Sequence, residues 1–169
     1  ILKKKNDQIA INFLSEKGLN EKITWKELYE KVCKLSKYLK SLNLKKGDRV
    51  AGYVPNKIEA VISFLACAKM GVIWSSCSPD FGAEGVIDRF KQIKPKVLIT
   101  CNYYYYNGKK VIIIDKVKEL KKNINSIEEI IVFPYDKSEN NEDLLYTSFH
   151  KIIKQSGLDE KFERFEFNH

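Results

Sequence analysis

Ser75, Ser76, Cys77 and Ser78 follow an apolar run and are closed by Pro79, Asp80, Phe81 and Gly82. Three hydroxyls and a thiol so closely spaced could supply a nucleophile or cradle a phosphate. Nucleophilic catalysis needs a positioned base. The two histidines are His150, about seventy residues on in a helical pattern, and His169, the last residue. Nothing near Cys77 in the sequence would lower its pKa. The hydroxyls therefore read as strand-end groups bonded to backbone, and no catalytic residue is assigned. Asp80 is different, because an aspartate just past a parallel strand lies at the carboxyl edge of a sheet, where open α/β folds bind ligands. Its other reading is a carboxylate holding a turn or capping the next helix.

A second constellation is "YYYYNGKK", residues 103–110, in which Lys109 and Lys110 follow an Asn107-Gly108 turn and four tyrosines. Basic and aromatic side chains together suit phosphate binding and base stacking, although tyrosine is also an ordinary strand former. Other chemistry is missing. The chain has no G-x-G-x-x-G, no G-x-x-x-x-G-K-[ST] and no G-x-S-x-G. Its four cysteines form no C-x-x-C pair and histidine is scarce, so no metal site is assigned.

The elements that must position these residues follow from hydrophobic spacing. Thr24 and Glu27 form a capping box. It opens a helix that carries Leu28, Val32, Leu35, Leu39 and Leu42 on one face and ends near Leu44. "RVAGYVP" is a strand. "NKIEAVISFLACAKMG" is a helix apolar on nearly every side, expected to be covered by neighbours and closed by Gly71. "VIWSSC" reads as a buried strand, "AEGVIDRFKQI" as a helix stopped by Pro95, and "KVLITC" as a strand. Asn107-Gly108 predicts a hairpin. "DKVKELKKNI" predicts a short helix, "EEIIVFP" a strand, "LLYTSFHKIIKQ" a helix, and "FERFEF" an edge strand. Residues 135–143 read as a polar loop. Alternating strands and helices imply an α/β fold with a Rossmann-like parallel sheet and flanking helices.

At 169 residues the chain has the length of one domain. The formal charge of +8 is carried almost wholly by lysines scattered among glutamates. Arginine, the better fork for phosphate and guanine, occurs only at positions 49, 89 and 164. A nucleic-acid partner is therefore not expected. No apolar run approaches the roughly 18 residues of a membrane span. Free cysteines in helical patterns suit a reducing compartment, and a cytoplasmic location is expected.

Taken together, "ITWKELYEKVCKLSKYLKSLNLKKGDRVAGYVPN", "EAVISFLACAKMGVIWSSCSPDFGAEGVIDRFKQIKPKVLIT", "YNGK" and "FERFEFNH" resemble the acetoacetate–CoA ligases of the acyl-adenylate-forming superfamily. The resemblance covers nearly the whole chain, and "WSSCSPDFG" with "DRFKQIKPK" is its narrowest part. It implies that residues 1–169 form a single partial domain, the first part of the large N-terminal domain of such an enzyme. The implied reaction joins a short acid such as acetoacetate to AMP from ATP with Mg2+, then passes the acyl group to CoA. The family's Ser/Thr/Gly-rich phosphate loop and catalytic lysine would lie past His169, so the remainder of the ligase is the implied partner and the stretch alone is expected to be inactive. Pro79 and Asp80 fall where relatives line the pantetheine channel. Tyr106 and Lys109 fall where relatives place two arginines on the 3′-phosphate of CoA. Only Lys109 can supply a cation there. The alternative is a non-catalytic remnant or interaction module.

Overall fold

The computed structural model describes residues 6–136, 145–162 and 164. Thr24 opens the first helix as the capping box requires: its Oγ1 accepts from the Glu27 amide at 3.2 Å, and Glu27 Oε2 accepts from the Thr24 amide at 2.8 Å. Helix α1, Trp25–Ser41, buries Leu28, Val32, Leu35 and Leu39 in one stripe. It ends before the expected Leu44, because Asn43 takes a left-handed φ of 59° and turns the chain. Ahead of it lie β1, Ile9–Leu14, and β2, Asn20–Thr24, an antiparallel pair that hydrophobic spacing alone does not reveal.

Then follow β3 (Arg49–Tyr53), α2 (Ile58–Met70), β4 (Ile73–Cys77), α3 (Ala83–Ile93) and β5 (Val97–Cys101). The hairpin β6 (Tyr103–Tyr106) and β7 (Lys109–Ile112) precedes α4 (Ile114–Asn123), β8 (Glu129–Phe133), β9 (Thr147–Ser148) and α5 (Phe149–Gln155). Five strands form one parallel sheet in the order β4-β3-β5-β8-β9. The chain steps outward from β3 to β4, then crosses back to β5 and onward to β8. With right-handed crossovers this reversal places helices on both faces, α1 packed on α2 and α5, α3 packed on α4. The central strands β3 and β5 are buried almost throughout.

Four expectations need correction or refinement. "VIWSSC" is a strand but not a buried one. Among the described residues it lies at the edge of the sheet and pairs only with β3, and Ile73 is 52% exposed. Helix α2 is largely covered, as expected, but one stripe through Val61 and Phe64 is open to solvent. The helix expected from Leu145 begins at Phe149, because Thr147 and Ser148 pair with β8 and Ser148 caps the helix. The polar loop begins on a buried aromatic, Tyr135, while residues 137–144 lie outside the described residues. The strand expected at "FERFEF" falls mostly outside them as well, and Phe162 is not in a strand.

"KGDR" braces the start of β3. Gly47 takes φ +84°, and Asp48 Oδ2 accepts from the Lys45 amide at 2.8 Å and from Lys96 Nζ at 2.9 Å. Arg49 Nε and Nη2 donate to the carbonyls of Ile93 and Lys94, at 2.6 and 3.0 Å, satisfying acceptors at the end of α3. Partial burial pushes the Asp48 carboxyl up, but the Lys45 amide and the Lys96 and Arg49 cations outweigh it and hold the group below its ordinary value. A carboxylate depressed by folding stabilises the fold above its unfolded pKa of about 4 and loses that contribution as pH falls through its folded value. Urea midpoints of wild type and Asp48→Asn should therefore differ near pH 6 and converge toward about pH 3. A difference independent of pH over that range would contradict this.

Candidate functional site

A cavity of about 350 Å³ opens at the carboxyl edge of the sheet. It is bounded by the loop after β3 (residues 54–56), the turn after β4 (residues 78–80) and Tyr104–Tyr106 on β6. Strand order reverses between β3 and β5, so the cavity sits at the topological switch point, where sheets of this kind leave a crevice for ligands. The site is thus a product of chain order.

Its floor depends on a glycine. A Cβ on Gly52 would lie 2.4 Å from Cζ2 of Trp74, so only a glycine lets the indole lie flat across β3. The wall is set by the turn after β4. Tyr53 Oη lies 3.0 Å from the Pro79 carbonyl and 2.7 Å from that of Phe81, sharing its proton between them, and Lys116 Nζ donates to Pro79 at 3.3 Å. Tyr104 donates to Asp80 Oδ1 and Ser78 to Asp80 Oδ2, both at 2.7 Å. Asp80 is therefore a turn carboxylate that also ties β4 to the hairpin. It does not cap α3, whose N-cap is Gly82, with no side-chain cap.

Burial, then the Asp80 charge, pushes the Tyr53 phenol up to about 12. Burial and the Asp80 hydrogen bond push Tyr104 upward too, so both remain neutral donors at physiological pH. The four thiols are free and buried, and burial raises Cys67 to about 12 and Cys101 further. Among the described residues no group of three or more His, Cys, Asp or Glu could hold a metal ion. This arrangement can bind and orient a ligand.

One residue anchors both ends of the hairpin. Asn102 Oδ1 accepts from the amides of Tyr103 and Tyr135 at 2.9 and 3.0 Å, and its carbonyl accepts from the Ile113 amide at 3.0 Å. At the tip, the Gly108 amide donates to Glu16 at 3.0 Å. The structure brings Pro79 and Asp80 together on the cavity wall. Lys109 stands apart from the lining, exposed and paired across the hairpin with Tyr106, which does line it. Sequence reasoning missed Lys116, on a later helix, and Lys17, whose ammonium lies 5.7 Å from the Tyr105 ring centroid. Neither falls in a motif, and only the fold brings them here.

A doubly wound parallel sheet with a cavity at its carboxyl edge defines an open α/β protein. Residues 2–160 match the family described as AMP-binding enzyme, and the chain belongs to that family. It is 40% identical over 143 residues to the acetoacetyl-CoA synthetase of Macaca fascicularis, covering 83% of this chain and 21% of that protein. The corresponding synthetase of Xenopus tropicalis is 36% identical over 181 residues, covering 98% of this chain and 26% of that protein. The structure of acetoacetyl-CoA synthetase from Streptomyces lividans superposes with a TM-score of 0.87 at 34% identity, covering 96% of this chain and 25% of that one. The chain thus spans about a fifth to a quarter of the length of the curated relatives it matches. No helix among the described residues is long and apolar enough to cross a membrane.

Proposed function

We propose that this chain forms the CoA side of an ATP-dependent ligase that activates acetoacetate, or a similar short acid, as an acyl-adenylate and transfers it to CoA. The observation that carries the reading is the switch-point cavity, whose wall is the "SPD" turn that the resemblance aligns with a pantetheine channel. A pantetheine arm alternates amides with methylenes, and the cavity offers both kinds of partner: Asn56 and Ser78 beside Trp74 and Tyr105. Pro79 and Asp80 would shape the wall, and Lys109 would meet a phosphate at the hairpin tip as a point charge. CoA supplies the thiol that accepts the acyl group. By the resemblance, the phosphate loop for ATP, with the Mg2+ that accompanies it, belongs to the remainder of the ligase. Buried free thiols suit a reducing, cytoplasmic setting.

The test is loss of CoA thiol that depends on both ATP and acetoacetate, measured for the chain alone and with the remainder of the ligase. Turnover only in combination is expected. No turnover when both parts are folded would overturn the reading in favour of the non-catalytic alternative. In the active combination, Lys109→Ala should raise KM for CoA about tenfold with kcat little changed, as loss of one charged contact to phosphate implies. An unchanged KM would remove Lys109 from the site.

A further inference from the structure

At the opposite, amino edge of the sheet lies a second cavity, of about 220 Å³, unrelated to the one proposed for CoA. It is enclosed by the ends of α1 and α2, the loop before β3 and the segment after α5. Five lysines line it: Lys40, Lys45, Lys46, Lys69 and Lys161. One carboxylate, Asp159, faces them, and the adjacent Glu160 leaves the cations in excess even when it is counted.

Lysines at helix C-termini have an ordinary role against the helix dipole, and Lys40 and Lys69 stand in such positions. That role does not account for Lys45 and Lys161, which belong to loops. Nor does it account for the burial of Lys69, whose side chain is only 2% exposed. Taking an ammonium out of water is costly without close partners. Asp159 Oδ2 lies 3.4 Å from Lys69 Nζ, longer than the roughly 2.7–2.9 Å of a strong charge-assisted bond. The ring of Phe162 lies 5.0 Å from the same ammonium. Burial pushes the Asp159 carboxyl up, but the Lys161 amide, Lys69 and Lys40 together hold it low. The carboxylate is thus a single anion facing five lysines.

We infer that this cavity binds a compact oligophosphate, with Lys69 at its base and Lys40, Lys45 and Lys161 around the rim. The chemistry shared by inorganic oligophosphates and nucleotide polyphosphates is a chain of closely spaced anionic oxygens, which several converging ammonium groups can neutralise at once. Asp159 occupies part of that field and competes with the ligand.

Isothermal titration of the chain with inorganic tripolyphosphate, and separately with ATP, tests this at about 0.1 M salt, where attraction to net charge is screened beyond roughly 10 Å. Saturable one-to-one binding of either probe is expected, and the probe that binds identifies the source. Lys45→Ala with Lys161→Ala should weaken it at least tenfold, while Asp159→Asn should tighten it severalfold. Lys118→Ala with Lys122→Ala removes the same charge from exposed positions on α4 and should change binding little. Absence of saturable binding by both probes would overturn the inference. So would an equal loss in the two double variants, which would reduce the effect to the overall charge of +8.

Discussion

Replacing Lys57 with alanine is expected to lower the unfolding free energy by about 3–5 kcal/mol, among the largest effects of any single change in this chain. The Lys57 side chain is fully buried, and its ammonium lies 2.9 Å from Glu21 Oε2, itself only 11% exposed. The rings of Phe13 and Tyr135 stand 4.6 and 5.2 Å from the same nitrogen. One cation therefore holds together β1, β2, the start of α2 and the chain leaving β8. Removing it leaves the Glu21 charge without its ion-pair partner in a site mostly shielded from water, which costs more than the pair contributes. A double variant, Lys57→Met with Glu21→Gln, should recover much of the loss, because both charges leave together. Urea denaturation of the two single variants and the double measures the coupling directly. A loss below about 1 kcal/mol for Lys57→Ala would mean that water reaches the pair.

The second large effect concerns association. Strand β4 ends the sheet, and its outer edge has no partner among the described residues. Ile73 on that edge is 52% exposed, and Val61 and Phe64 on α2 are 38% and 49% exposed. An unpaired strand beside bare apolar side chains is a template for pairing with another chain. Purified chain at tens of micromolar or above should therefore run in sedimentation velocity as a concentration-dependent mixture. Ile73→Lys with Phe64→Glu should shift it to monomer. Monodisperse wild-type monomer across that range would show that the edge is protected in some other way.

Local signals were legible before the structure. Thr24 and Glu27 announced α1, Asn107-Gly108 announced the hairpin, and the alternation of apolar runs announced a parallel sheet. Local chemistry decides each of these within a few residues. Long-range pairing decides the rest. "VIWSSC" is apolar enough to be central, yet its place at the edge follows from strand order, which no run of six residues encodes. The β1–β2 pair escaped notice because "IAINFL" is neither cleanly alternating nor marked by a strong turn dipeptide. Lys57 looked like one more surface lysine, and its burial depends on Glu21, thirty-six positions earlier. At the candidate site, Asp80 stood out by its place after a strand, whereas Pro79 was singled out only by the resemblance. Tyr53, Trp74 and Lys116, which hold that turn and floor that cavity, depend on contacts across the sheet.

Asn102 gives the hairpin a history of its own. Because both ends of β6–β7 are tied to this one residue, their path to the sheet is set before the first tyrosine and after the last isoleucine. Between them, Tyr103 and Tyr104 are buried and Tyr104 is bonded to Asp80, so only the exposed tip, residues 106–110, can change without disturbing the sheet. Surface segments anchored in this way tolerate insertion and drift better than the elements that carry them. The tip is in effect the exchangeable part of the hairpin. Descendants of this chain could acquire a longer arm, a different charge at the tip or a new cap over the cavity by successive small steps, each one starting from an intact fold.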